Sequence, residues 1–321
     1  MSVIIAGSSG LVGTALAADL RDQGKRVVRL VRRPVKSADE VSWNPDSGQL
    51  DPDILRNASA IVSLGGASVG HLPWTSKYRD TLWRSRIDAT RTIVTAIRAL
   101  AQNGEPIPSL ISASATGLYG SKPGFEFTER SPVGDTFLAQ LCAAWESEAL
   151  RADETTGVTL LRTAPILHPQ GVLRPMIQLT RLGLGGPLGS GKQVWPWISL
   201  EDEIRAINHI LAHTITGPVN LAGPVHATNA EIGRALARKL HRPFLLPTPT
   251  AALRIGLGKD ATESLLTTDA RVSPEVLMNS GFQFIHPTAE DAIHETRLQL
   301  LRRALAHGTY SSNCSACKTI R

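Results

Sequence analysis

Gly7-Ser8-Ser9-Gly10-Leu11-Val12-Gly13, preceded by the apolar run Ser2-Val3-Ile4-Ile5-Ala6, is the segment around which the rest of the chain organises. The run before it is short and β-rich. After it, Leu11, Val12, Leu16 and Leu20 keep helical spacing as far as Arg21. The order is therefore strand, turn, helix. Gly7 permits the tight turn, Gly10 lets a pyrophosphate approach the backbone, and Gly13 lets the helix pack closely on the strand. The start of the helix offers free N–H groups and the positive end of its dipole to phosphate. Gly24 ends the helix and Arg26–Val31 reads as a second strand, so the first 31 residues form a βαβ unit with a parallel pair. A glycine motif alone is weak evidence. Its place at the strand-to-helix junction of such a unit gives it weight.

Working outward, Ala60–Leu64, Leu110–Ala115 and Val158–Thr163 read as further buried strands, separated by helical stretches at Thr81–Ala101 and Phe137–Ala152. Strands that alternate with helices and are apolar throughout predict an α/β fold built on a doubly wound parallel sheet. Past Thr163 the pattern changes: Pro and Gly become frequent through Ala164–Pro196, the chain returns to the sheet near Ile198–Leu221, and Thr228–Leu240 and Ala289–Ala306 read as helices. These features predict a Rossmann domain over 1–165 and 198–225, a smaller substrate-binding domain over 166–197 and 226–307, and a disordered tail over 308–321.

The 321 residues, 42% apolar and 19% charged, are enough for a sizeable core and have no run of about 18 apolar residues such as a membrane span needs. The N-terminus lacks a basic region before its apolar stretch and turns at Gly7, which argues against a signal peptide and for a cytoplasmic protein. Of the net charge of +6, +5 comes from Arg297, Arg302, Arg303, Lys318 and Arg321, leaving the body near neutral. A nucleic-acid surface needs many clustered cations, so no such partner is expected. Three cysteines make no disulfide framework. Cys142 falls in a helical pattern as a buried thiol. Cys314 and Cys317 form a lone C-x-x-C to which zinc would need two more ligands, so no metal is expected.

About 20 positions beyond the glycine turn, NAD-binding units carry an acid that takes the ribose 2′-hydroxyl. Here the position is Arg32, followed by Arg33. A carboxylate would repel a 2′-phosphate, whereas guanidinium groups bind it with charge-assisted hydrogen bonds of about 1.5–3 kcal/mol each. The predicted cofactor is NADP(H).

With GSSGLVG (7–13), SRIDATR (85–91), SASATGLYG (112–120), FLAQLCAAWESEA (137–149), RLGLGGPLGSGKQVWPWISLED (181–202), GPVNLAGP (217–224) and SGFQFIHP (280–287), the chain resembles the extended short-chain dehydrogenase/reductases, specifically the atypical branch called epimerase family proteins. The resemblance spans about 1–295, and the 181–202 run is its most diagnostic part. It implies a Rossmann domain, a C-terminal substrate domain and NADP(H) binding, without naming a substrate. Carried over, the cofactor residues are Gly7, Ser9, Gly10, Leu11, Val12 and Gly13 in the turn, Arg32 and Arg33 at the 2′-phosphate, Leu64 and Gly65 beside the adenosine-side ribose, and Ser114 or Ala115 beside the nicotinamide.

The resemblance also implies a Tyr-x-x-x-Lys pair on the helix after the fifth strand, the lysine lowering the tyrosine pKa for proton transfer. Counting back from Glu146 puts Leu138 and Cys142 there, and the neighbouring register puts Phe137 and Leu141. Neither register supplies the pair. Ser114 is the best match to the superfamily's catalytic hydroxyl. Glu129, Lys192 and Gln193 lie in segments expected to face the cleft, and Ser114, Glu129 and Lys192 are the candidate catalytic groups. Tyr119 is expected to be a packing residue. Trp195 and Trp197 either wall an apolar or sugar-stacking pocket or pack between domains. The expected function is an oxidoreductase or epimerase acting on a small carbonyl or sugar-like molecule with an unorthodox proton donor, in a monomer or a homodimer pairing the 81–101 and 137–152 helices. The alternative is a non-catalytic NADP(H) sensor or an interaction protein, the latter after a cell-division label on some relatives.

Overall fold

The structure is a computed structural model that describes residues 2–152 and 154–296. The expected tail over 308–321, its Cys314 and Cys317, and the end of the helix expected to reach Ala306 lie outside the described residues.

The strand Ser2–Ala6 (β1) runs into the helix Leu11–Asp22 (α1) and returns as Arg26–Val31 (β2), as the first residues require. There follow Glu40–Ser42 (β3), Ala58–Ser63 (β4), Ser76–Gln102 (α2), Ser109–Ala115 (β5), Glu126–Phe127 (β6), Phe137–Leu150 (α3) and Val158–Thr163 (β7). After these come Leu173–Arg181 (α4), Val194–Trp195 (β8), Leu200–His213 (α5), Gly217–Leu221 (β9), Ala227–Thr228 (β10) and Asn229–Lys239 (α6). The C-terminal part holds Thr250–Leu257 (α7), Lys259–Ala261 (α8), Arg271–Val272 (β11), Glu275–Asn279 (α9) and a helix over 289–296.

Seven strands form one sheet in the order β3-β2-β1-β4-β5-β7-β9, parallel throughout. The order reverses between β1 and β4, and the crevice at such a switch point, beyond the carboxyl ends of the strands, is where α/β sheets bind ligands. Both faces of β1 are covered. Val3 and Ile5 pack toward α1 and α5, and Ile4 and Ala6 toward α2. Successive strand side chains point to opposite faces, so two-sided burial demands the unbroken apolar run seen in the sequence. Each fully buried Ile contributes about 1.5–3 kcal/mol relative to exposure.

A third core joins Leu167, Leu173, Trp195, Trp197, Ile232 and Ile293, built from α4, β8, α6 and the 289–296 helix. Trp197 is 2% exposed and its indole N–H donates to the Val225 carbonyl at 2.9 Å; the Trp195 indole donates to Leu266 at 3.2 Å. Both rings are core, and the pocket-wall alternative is corrected accordingly. Two element boundaries also differ. The helix α2 begins five residues before Thr81, because the Thr75 hydroxyl caps it by accepting from the Tyr78 N–H at 3.1 Å, ahead of any apolar periodicity. The edge strand β3 is too short, with Val41 its only apolar residue, to show any alternation.

Candidate active site

At the switch point the three glycines have separate duties. Gly7 has φ +82°, and a Cβ on it would lie 2.8 Å from the Leu64 carbonyl carbon and the Gly65 nitrogen, so the turn passes against the end of β4. On Gly13 a Cβ would stand 2.3 Å from the Gly7 oxygen. On Gly10 it would meet only that same oxygen, at 3.4 Å, an ordinary contact. Gly7 and Gly13 are thus required by the chain's own packing, while the space above Gly10 is left to something else. Gly10 is also the N-cap of α1 and brings no side-chain oxygen, and no acid stands in the first turn. The sheet-flanking helices α2, α3 and α5 are capped by Thr75, Thr136 and Ser199. The amides that open α1 remain for an anion. Ser9 is exposed beside Gly10, and Leu11 and Val12 pack half-buried on the core.

At the end of β2 the two arginines part company. Arg33 forms a forked pair with Glu40, Nη1 to Oε2 at 2.9 Å and Nη2 to Oε1 at 2.6 Å. Hydrogen bonds from Arg33 hold the Glu40 carboxyl at about 2. Arg32 is exposed, makes no hydrogen bond or ion pair among the described residues, and lines an open hollow with Arg33, Pro34, Trp43, Asn44 and Asp46. Of the two arginines expected at the 2′-phosphate, Arg33 has a carboxylate partner and Arg32 has none among the described residues.

The third component is a buried polar network under the ends of β5, β7 and β9. The Ser114 hydroxyl donates to Glu146 Oε1 at 2.6 Å. Arg162 holds the same carboxylate in a fork, Nε to Oε1 at 2.9 Å and Nη2 to Oε2 at 2.8 Å. Its Nη1 donates to the Tyr119 oxygen at 2.9 Å and to the Glu129 carbonyl at 2.8 Å, and the Tyr119 hydroxyl donates to Asn220 Oδ1 at 2.6 Å. Burial pushes the Tyr119 phenol up to about 12. Tyr119 is a packing residue, stacked on Phe127.

Glu129, expected on a cleft-facing segment, is 7% exposed; its Oε1 accepts from the Asn220 and Val276 amides at 3.1 and 3.2 Å, pinning β9 and α9. Gln193 is likewise buried, its amide donating to the Leu188 and Leu266 carbonyls. Lys192 is exposed in the turn before β8. The structure therefore brings Ser114 and Glu129 into one network and leaves Lys192 outside it. Glu146, Arg162 and Asn220 form the centre of that network. Nothing local in the sequence marks Glu146 and Arg162 as one ion pair.

A family model described as the NAD dependent epimerase/dehydratase family matches residues 3–222. The chain belongs to that family. A second model, a domain of unknown function (DUF1731), matches residues 248–296. The epimerase family protein Mb2239 of Mycobacterium bovis is 42% identical over 294 residues, 91% of this chain and 96% of that protein. Human epimerase family protein SDR39U1 (isoform 2), solved with NADPH, superposes with a TM-score of 0.83 at 28% identity, over 92% of this chain and 99% of that one. A nucleoside-diphosphate sugar epimerase from Corynebacterium glutamicum gives 0.72 at 25% identity, over 96% of this chain and 68% of that one.

The residues present fit the dinucleotide this family binds. The room over Gly10 and the uncapped start of α1 suit a pyrophosphate, and unpaired Arg32 suits a further phosphate at the adenosine end. No Tyr-x-x-x-Lys stands on α3. Leu138 and Leu141 pack with Trp74, Leu82 and Ala261, and burial raises the Cys142 thiol to about 12. Among the described residues no cluster of His, Cys, Asp or Glu is arranged to hold a metal, and no helix is long and apolar enough to cross a membrane.

Proposed function

We propose that this family member is an NADP(H)-dependent oxidoreductase or epimerase for a small carbonyl or sugar-like substrate, working in the cytoplasm with a proton donor that does not come from α3. The observation that carries the reading is Arg32, an unpaired guanidinium at the end of β2 where an acid would mark NAD. The human relative solved with NADPH supports it.

Bound at the switch point, the cofactor would supply or accept hydride. Gly10 and the α1 amides would hold its pyrophosphate, with Ser9, Leu11 and Val12 around the turn, Leu64 and Gly65 beside the ribose, and Arg32 on the 2′-phosphate. Ser114, near the end of β5, is the group we assign to the reacting centre: its oxygen can accept a proton from a substrate hydroxyl as its own proton passes to Glu146, which Arg162 keeps in place, and in the reductive direction the two transfers run in reverse. Glu129 and Lys192 are the further groups to test. The division of the chain at 165, 197 and 225 is proposed on the same footing, with the third core supporting the substrate side.

The test measures dissociation constants for NADPH and NADH in wild type and in Arg32→Ala. We expect NADPH to bind at least about tenfold tighter in wild type and the preference to collapse in the variant. Equal affinities in wild type remove the reading. The absence of a Tyr-x-x-x-Lys pair from α3 favours a second reading, a cofactor-binding sensor without turnover. General acid–base help is worth about 10²–10⁴ in rate, so simple aldehydes and UDP-glucose should be turned over slowly or not at all. NADPH consumption with any member of a metabolite panel separates an enzyme from a sensor.

A further inference from the structure

Arg86, inside the 85–91 motif, stands on α2 and has no part in the cofactor site described above. Its Nη1 donates to the Leu82 carbonyl at 2.9 Å and its Nη2 to the Ala67 carbonyl at 3.1 Å. Cζ lies 5.2 Å from the centre of the Trp145 ring, and that indole is itself fixed by donating to Thr90 at 2.8 Å. Gly66 makes room for the group, since a Cβ there would come within 3.1 Å of Cζ. All of these partners are neutral.

The ionisable side chains that feel the Arg86 charge are the Cys142 thiol and the Tyr78 phenol. No carboxylate pairs with it among the described residues, whereas Arg29, Arg33, Arg56, Arg79, Arg91 and Arg162 each have one. Half-buried and without a counter-charge, the guanidinium is disfavoured by desolvation, which pushes its pKa down. Its position is specific. Gly66 and Ala67 follow β4, and Cys142 lies within hydrogen-bond reach of Ser114 and the Ala115 backbone at the end of β5. α2 thus brings a guanidinium next to Cys142 of α3 and to the chain that follows β4. A guanidinium has more N–H donors than two carbonyls occupy, and its planar fork matches a carboxylate or phosphate.

We propose that Arg86 is the anion-binding group of the substrate pocket, and that the substrate carries a carboxylate or phosphate on the carbonyl or sugar-like body where the protein acts. The proposal rests on the cofactor reading, which places the substrate above β4 and β5. Arg86 is held in advance by Trp145 and the two carbonyls, so little side-chain freedom is lost when the anion arrives. Because a guanidinium does not give up its proton near neutral pH, its part is to bind and orient the anion while another group moves the proton.

The experiment titrates NADPH-loaded protein with two probes, oxalate and inorganic phosphate, by calorimetry, in wild type, Arg86→Gln and Arg86→Lys. One probe should bind wild type saturably and more weakly as salt rises. Arg86→Gln should weaken it at least about tenfold and Arg86→Lys by less, with the NADPH dissociation constant unchanged within about twofold. Preference for oxalate assigns a carboxylate, preference for phosphate a phosphate ester. Should Arg86→Gln not fold, phenylglyoxal labelling of wild type reads the same residue: Arg86 should be modified, and protected by the probe that binds. Absence of binding by both probes, equal binding by wild type and Arg86→Gln, or labelling of Arg86 that the bound probe does not slow would overturn the proposal. So would a tenfold loss of NADPH affinity in Arg86→Gln, which would make Arg86 a cofactor ligand. Wild type that binds no NADPH refutes the cofactor reading instead, and the same titrations on cofactor-free protein then still report on Arg86.

Discussion

Gly10 and Gly13 are three positions apart and answer to different constraints. An alanine Cβ at 13 would press on the Gly7 oxygen at 2.3 Å, and that oxygen belongs to backbone fixed against Leu64 and Gly65. Relief requires moving α1 away from β1. Gly13→Ala should therefore lower the melting temperature by several degrees or prevent folding. Gly10→Ala meets nothing closer than 3.4 Å, so it should melt within about 2 °C of wild type yet lose NADPH affinity by tenfold or more, because the methyl group occupies the space we assign to pyrophosphate. Thermal melts paired with NADPH fluorescence titrations check both. Wild-type affinity in Gly10→Ala would put the phosphate elsewhere. The same contrast separates Arg32 from Arg33, neighbours in sequence with one free and one engaged by Glu40.

Between elements, the buried pair Arg162–Glu146 joins β7 to α3 and carries Ser114 of β5 with it. Both side chains are 9% exposed, so removing one partner strands the other in a medium that cannot solvate it. Arg162→Met should cost about 3–5 kcal/mol, whereas Arg162→Met combined with Glu146→Leu should recover most of the loss, since an apolar replacement of both charges leaves none unpaired. Urea denaturation of the singles and the double gives the coupling. If the double variant is no more stable than the single, the ion pair is not the reason for the loss. Asn220 extends the tie to β9, so three neighbouring strands and the helix that covers them share one set of hydrogen bonds.

Across the whole molecule, two titrating groups tie stability to pH in the same direction. Burial pushes Glu203, on α5, up to about 8, with Thr163 donating to it at 2.9 Å and its other oxygen unpartnered. The folded state therefore keeps a proton that the unfolded chain loses near pH 4.3. His286 is raised by its contact with Asp202, whose carboxyl is 3.4 Å from Nδ1 and also receives the Ser199 hydroxyl at 3.0 Å. Its contribution is full below about pH 6.5 and is lost as pH rises through the raised folded value. Burial opposes ionisation of Asp202, but hydrogen bonds from His286, Ile285 and Ser199 outweigh it, so the Asp202 contribution holds above about pH 3.9 and fades only in acid. Stability should consequently fall between pH 5 and 8, at up to about 1.4 kcal/mol per pH unit for each proton retained. Glu203→Gln should flatten that slope. Unfolding free energies at three pH values in that range decide it, and a stability that rises with pH would contradict the assignment.

The nucleotide-binding half was legible from residues 2–31 onward because its causes are local. Strands buried on both faces must be apolar throughout, a strand-to-helix turn against a neighbouring strand must be glycine, and a flanking helix must keep one apolar face. Arg32 and the absent Tyr-x-x-x-Lys pair could likewise be read by counting along the chain. What the chain order could not express were pairings set by folding. Glu146 meets Arg162 16 positions on, Tyr119 meets Asn220 across 101, and Ser199 meets His286 across 87. No periodicity links such residues, since each is brought to its partner by the packing of elements that are separately apolar and separately polar. For the same reason Glu129, expected on a cleft-facing segment, is a buried brace, and of the two readings of Trp195 and Trp197 only folding decides for core. That Arg86 meets Cys142, with no carboxylate paired to it among the described residues, is a consequence of α2 packing against α3, which the order of residues along the chain does not state.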